Sequence, residues 1–306
     1  MSAPPRPTAM AEARARSARN IPGYSAARLR RTRGLMRLLC ALSPALAARL
    51  AARLFITPRI RPISRHDAEF LATAAGRRLP TPHGTVQTYE WPNPGPAVLV
   101  LHGWISHAAH LRPMIEGLRS QGLRVVAFDA PAHGRSSGRQ ADLYSFRDAL
   151  AAVNAAFGPA GAILAHSFGA ITAASWLAED AAAAQLHAAV LIGLPRDIGY
   201  LFESFVVLTG LSSEVVRRVR ARFHARYGGY PEDYSATVLA QRIHIPVLLL
   251  HGGEDEYIPV EHVEEVALQL RDGRVHVLAG LNHSAPLSDP DSIALVAQFI
   301  GSRLRP

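Results

Sequence analysis

Ile163-Leu164-Ala165-His166-Ser167-Phe168-Gly169-Ala170 is the stretch on which the reading of this chain turns. An apolar run stops at a serine, small residues stand at Ala165 and Gly169, and a helical pattern begins at once. The pattern predicts a strand, a sharp turn with Ser167 at its tip, and a helix: a nucleophile elbow. Such a turn strains the serine backbone and lifts its Oγ above the sheet. Bulky flanking side chains would collide across it. Ala165 stands where glycine is usual, and still fits. A serine hydroxyl is a poor nucleophile at neutral pH, so the rest of the chain must supply a base, an acid and oxyanion donors.

Outward from the turn, apolar strand runs alternate with helical patterns. Strands are expected at Ala97–Leu101, Leu123–Phe128, Gly161–Ala165, Ala188–Leu194, Val247–Leu250 and Arg274–Leu278. Helices are expected at Leu111–Gln121, Asp142–Phe157, Ile171–Ala184, Val260–Leu270 and Ser292–Arg303. Solid apolar strands between helices predict an α/β fold with a mostly parallel central sheet and helices on both faces. Arg77–Pro80 and Thr85–Trp91, joined at His83-Gly84, predict an antiparallel hairpin. One connection is long. Residues 196–245 carry aromatic and apolar residues and then an arginine-rich helix, and they read as a small helical lid above the strand C-termini.

The candidate chemistry lies at strand C-termini. His102-Gly103-Trp104 follows the strand Ala97–Leu101, so the amides of Trp104 and Phe168 are the expected oxyanion hole. His251-Gly252-Gly253-Glu254-Asp255-Glu256 follows Val247–Leu250, and Asp255 sits at the apex of that loop. Asp197, after the preceding strand, is the rival acid. Of fourteen histidines, His283 alone lies between the last strand and the last helix. Ser167, Asp255 and His283 thus run in the order expected of a serine–histidine–acid triad on such a sheet. His283 would accept the serine proton, and Asp255 would hold the imidazole in the right tautomer.

With these residues in view, residues 77–304 resemble the α/β-hydrolase superfamily. The motifs are His102-Gly103-Trp104, Asp129-Ala130-Pro131-Ala132-His133-Gly134-Arg135-Ser136, Ala165-His166-Ser167-Phe168-Gly169 and the Asp255 and His283 loops. The resemblance implies an α/β-hydrolase fold and a structural role for Asp129. It implies a serine hydrolase, with no cofactor and no metal, acting on a small carboxylic ester or thioester through an acyl-enzyme. The aromatic, apolar lid points to a hydrophobic group on that substrate. Serine at 167, where dehalogenases and epoxide hydrolases carry aspartate, argues against those two chemistries. A C–C bond hydrolase, a peroxidase-like member, or a non-catalytic binding protein of the same fold are the alternatives.

The formal charge of +9 is unevenly spread. Residues 1–65 hold 14 arginines and one acid, whereas residues 66–306 hold 19 arginines and 23 acids. The basicity therefore belongs to an N-terminal arm, residues 1–62, ahead of a catalytic domain over 63–306. No lysine occurs, and the arm lacks interleaved aromatics, so nucleic acid is not an expected partner. Gly252-Gly253 is not followed by Lys-Ser or Lys-Thr, which excludes a phosphate loop there. The single cysteine, Cys40, excludes an intrachain disulfide framework.

Residues 1–22 are expected to be disordered. Over residues 24–56 a leucine stripe forms, Leu35, Leu38, Leu39, Leu42, Leu46, Leu50 and Leu54, with Pro44 interrupting it. Three readings stand: a helix folded back on the domain, a basic amphipathic helix making peripheral membrane contact, and a signal sequence cleaved near Ala45-Leu46-Ala47. The longest uncharged run, Leu38–Ala48, is too short for the ~20 residues of a bilayer span. The expected location is cytoplasmic, with membrane association left open.

Overall fold

The computed structural model describes residues 26–60 and 62–304. The disorder expected over residues 1–22 lies outside them. The chain divides into two units.

The larger unit comprises residues from Thr57 to Arg196, Ala236–Asp255 and residues from Val260 onward. Its centre is an eight-stranded sheet. The strands are β1 (Ala75–Thr81), β2 (Gly84–Trp91), β3 (Ala97–Leu101), β4 (Arg124–Asp129), β5 (Ala162–His166), β6 (Ala188–Ile192), β7 (Val247–Gly252) and β8 (Gly273–Leu278). They lie in the order β1-β2-β4-β3-β5-β6-β7-β8. β1 and β2 form the antiparallel hairpin, β2 pairs antiparallel with β4, and every later pairing is parallel.

Alternation along a strand sends successive side chains to opposite faces. Val98, Val100, Leu164, Val190 and Leu250 share a core with Met114, Ile115, Leu118, Val296 and Ile300. Those partners come from the helices at Arg112–Ser120 and Pro290–Leu304. The alternate residues Leu99, Leu101, Ile163, Leu191 and Leu249 are equally buried, so both faces are covered. This is why β3 to β7 read as continuous apolar runs rather than alternating ones.

The smaller unit comprises the described residues up to Ile56, Asp197–Ser235 and Glu256–Pro259. Its four longer helices are α1 (Ala26–Leu42), α2 (Pro44–Phe55), α3 (Ile198–Thr209) and α4 (Ser213–Tyr227). Pro44 divides the arm helix as expected: Ser43 caps the second half and proline takes its first turn, where a missing N–H costs nothing. Met36, Ala47, Ala48 and Ala51 of the arm form one core with Phe202, Val215 and Val219 of the long insertion. Phe55 meets Phe202 edge-on at 5.5 Å and Phe205 at 5.3 Å. Arg33 donates to the carbonyls of Val207 and Leu208, near the negative end of α3.

The arm buries its alanine face, not its leucine stripe; most of those leucines are exposed. Of the insertion's aromatic residues, Phe202 and Phe205 pack against Phe55 of the arm. Three of the five arginines of α4 have ion pairs: Arg217 and Arg218 bond Glu214, and Arg220 bonds Glu232. Ala45-Leu46-Ala47 lies within α2, with Ala47 fully buried. No helix among the described residues is long and apolar enough to cross a membrane.

Candidate active site

Ser167, Asp255, His283, Trp104 and Phe168 all belong to the larger unit and follow the C-terminal ends of parallel strands, the first four on loops and Phe168 at the start of a helix. Ser167 joins β5 to the helix Phe168–Glu179 with φ 55° and ψ −120°. That backbone is one L-residues avoid, and of order 1–3 kcal/mol of strain attends it. The turn is locked by bonds from the Ser167 amide to the Ile192 carbonyl at 2.8 Å and from the Ala170 amide to the Ser167 carbonyl at 2.8 Å. The small neighbours are required. A Cβ at Gly169 would lie 2.4 Å from the His102 carbonyl oxygen, and one at Gly103 would lie 2.9 Å from Ser167 Cβ.

The strain gives a measurable outcome. Ser167→Gly relieves the positive φ but widens the unfolded ensemble, an opposing effect of about 0.4–1 kcal/mol. A net gain of about 1 kcal/mol over Ser167→Ala is expected, about 2–4 °C in Tm by thermal unfolding. Equal melting of the two variants would show that the turn stores no strain.

His283 Nδ1 lies 2.6 Å from Asp255 Oδ2. The Asp255 side chain is almost wholly buried, and that of His283 nearly so. The loops are held together from below: Glu254 donates from its amide to Leu281, and Asp255 to Gly252. A Cβ at Gly252 would fall 2.4 Å from the Leu281 oxygen and 2.5 Å from that of Asn282, so β7 can approach the His283 loop this closely only with glycine. His283 is tied to the serine turn through its neighbour. His166 Nε2 lies 3.2 Å from the His283 carbonyl, and their rings stand 4.8 Å apart. Asp197, the rival acid, instead caps α3 by accepting from the Tyr200 amide.

The Gly103-Trp104 loop is held by two buried histidines. His102 Nδ1 donates to the Gly103 carbonyl at 2.7 Å while its Nε2 accepts from the Ala130 amide at 2.9 Å. His133 Nδ1 donates to Pro131 at 2.9 Å and its Nε2 accepts from the Ile105 amide at 3.2 Å. Each arrangement needs a neutral ring with one proton. Burial enforces it, pushing His102 well below its usual range and His133 down to about 4. Phe168 opens its helix, so its amide is one of the donors a helix start leaves over. Trp104, Phe168 and Phe146 form one aromatic group, with Trp104 5.2 Å from Phe168 and Phe146 5.0 Å from Phe168.

Asp129 braces this loop from behind. Its carboxylate accepts from the amides of Ala108 and Arg135 and from the Tyr89 hydroxyl, at 2.9, 2.8 and 2.9 Å. Gly134, at φ 50°, leaves room for that carboxylate.

Two residues at the site carry no mark in the sequence. Gly193, at φ 59°, lies where a Cβ would come 2.9 Å from His283 Cε1. His251, fully buried, places Nε2 3.4 Å from the Asp255 oxygen that faces His283. Both are visible only once β6, β7 and the two loops are side by side.

One group among the described residues has the composition of a metal site. Asp67, His107 and His110 bring their candidate ligand atoms within 4.8 Å of one another. Its members also bond neighbouring serines: Ser64 Oγ donates to Asp67 at 2.7 Å, and His110 Nδ1 lies 2.8 Å from Ser106 Oγ.

Comparison with known proteins agrees with this architecture. A bifunctional esterase/perhydrolase of Acinetobacter calcoaceticus is 24% identical over 255 residues, covering 67% of this chain and 91% of that protein. A non-heme haloperoxidase of Rhodococcus erythropolis is 25% identical over 268 residues, covering 72% and 97%. An esterase of Pyrococcus furiosus superposes with a TM-score of 0.62 at 20% identity, covering 82% of this chain and 100% of the esterase chain. The model of the alpha/beta hydrolase family matches residues 98–294, nearly the whole run from the first parallel strand to the last helix, and the chain belongs to that family.

Proposed function

We propose that this chain is a serine hydrolase that cleaves a small carboxylic ester or thioester through an acyl-enzyme. The observation that carries the reading is the buried Asp255–His283 pair at 2.6 Å, tied through His166 to the strained turn that presents Ser167. Ser167 Oγ attacks the substrate carbonyl carbon while His283 takes its proton. Asp255 holds Nδ1–H and stabilises the imidazolium without becoming protonated. The amides of Trp104 and Phe168 bond the oxyanion, aided by the positive end of the helix that Phe168 opens. His283 then protonates the departing alcohol or thiol. In the second half it activates water, which displaces Ser167 and releases the acid.

The aromatic group of Trp104, Phe146 and Phe168 beside Ser167 supports an apolar substituent on the substrate. A second reading is favoured by the names of the two sequence relatives. Hydrogen peroxide in place of water would attack the same acyl-enzyme and release a peracid and free Ser167.

The test is covalent. A fluorophosphonate probe should label the wild type on Ser167, mapped by mass spectrometry, and should not label Ser167→Ala. A series of p-nitrophenyl esters and acyl thioesters, with and without peroxide, should then rank the substrates. A wild type that takes no label, or hydrolysis that survives in Ser167→Ala, sinks the reading.

A further inference from the structure

We infer that the two arm helices α1 and α2 carry a docking surface for an anionic lipid bilayer. A helix that packs in a protein normally turns its largest apolar residues inward. Here Leu35, Leu38, Leu42, Leu46 and Leu54 are 57%, 56%, 74%, 51% and 38% exposed, while alanines fill the core of the same unit. The leucines are ordered. Leu38 and Leu42 are one turn apart on α1, and Leu46, Leu50 and Leu54 succeed one another by single turns on α2. On each helix these leucines therefore share a face. A concentration of exposed leucine of this kind marks a surface that meets something apolar.

Charge chooses the partner. Residues 26–60 contain eight arginines and no acid. Arg30, Arg31, Arg37, Arg49 and Arg53 are exposed, and Arg49 and Arg53 form a row alongside Leu46, Leu50 and Leu54. Leucines beside exposed arginines, in a stretch of sequence that carries no acid, match a headgroup region, where acyl chains receive the leucines and anionic phosphates the guanidiniums. A second copy of the chain fits less well: a twofold contact would set the same arginine rows against each other. Since no described helix can span a bilayer, the surface lies on the membrane rather than through it.

The full chain is tested by co-sedimentation with phosphatidylcholine vesicles, with and without phosphatidylglycerol. At least about tenfold stronger partitioning onto the anionic vesicles is expected, weakening as salt rises. Leu38→Glu/Leu42→Glu/Leu46→Glu retains every arginine, including those of residues 1–25. It should lose about tenfold or more of that binding while keeping wild-type turnover of a water-soluble ester. Arg30→Gln/Arg31→Gln/Arg37→Gln should lose the preference for anionic lipid. Wild type that ignores anionic vesicles, or a leucine variant that still binds them, overturns the proposal. So does a wild-type dimer, seen by light scattering, that the leucine changes convert to monomer. Ser167→Ala should bind vesicles like the wild type, so failure of the hydrolase reading and failure of this one are separable.

Discussion

Asp255→Asn is expected to lower kcat by about four orders of magnitude while leaving the fold in place; the same exchange in serine proteases costs about 10⁴. The reason lies in what each group can accept. The Asp255 carboxylate lies 2.6 Å from His283 Nδ1 and accepts its N–H, which leaves Nε2 as the lone pair that, in the proposed mechanism, takes the Ser167 proton. An asparagine offers one acceptor oxygen and one NH₂ donor. His251 Nε2 already lies 3.4 Å from the same oxygen, so two imidazoles would compete for one acceptor. When the NH₂ faces His283, the ring proton moves to Nε2 and the base is lost. Asparagine nearly matches aspartate in volume, so the buried loop needs little repacking. The measurement is kcat and KM on a short p-nitrophenyl ester, with circular dichroism and Tm as folding controls. A kcat within tenfold of wild type, with the fold intact, would remove Asp255 from the mechanism. A collapse of KM alone would make it a binding residue.

Legibility divides along a physical line. The parallel strands were readable because burial on both faces leaves an unbroken apolar signature, as in Ala97–Leu101 and Val247–Leu250. The turn at Ser167 was readable because its sterics restrict both neighbours to small residues. What local pattern cannot show is which of two available faces a helix buries. In α2 the leucines dominate any measure of periodicity, yet Ala47, Ala48 and Ala51 are the residues at zero exposure. Small residues let helices approach closely, and the partners, Phe202, Val215 and Val219, lie some 150 residues away in sequence. The histidines behave likewise. His283 stood out by its place after the last strand, whereas His251 sits within a strand end and His133 within a turn motif. Their roles depend on loops brought together by strand order, and nothing within reach of either in sequence encodes that.

The second large effect is on stability in acid. His102, His133, His166 and His262 are all at least nine-tenths buried in the larger unit. His102, His133 and His262 each accept a backbone N–H on one ring nitrogen, which only a neutral ring can do. Burial, with help from neighbouring positive groups, lowers His166 and His262 to about 3 and His133 to about 4, and holds His102 well below its normal range. A depressed folded value means that the unfolded chain binds more protons throughout the window between the folded pKa and 6.5. Stability is therefore complete above about pH 7 and falls as the pH drops through 6.5 toward 4 for His133 and toward 3 for His166 and His262. At pH 5 each of His133, His166 and His262 costs about 2 kcal/mol, so these three together take a large share of the about 5–15 kcal/mol that an ordinary domain has, and His102 acts in the same direction. Asp129 works the other way. Its carboxyl is pushed up by burial, so its protonation in acid relieves a cost, but it is one group against four. The expected result is a Tm at pH 5 on the order of 10–20 °C below that at pH 7.5, at fixed ionic strength. A Tm that stays level or rises over that interval would mean that these histidines are hydrated or charged in the folded protein. The two-histidine support of the Gly103-Trp104 loop would then have to be abandoned, since a doubly protonated ring cannot accept the Ala130 or Ile105 amide.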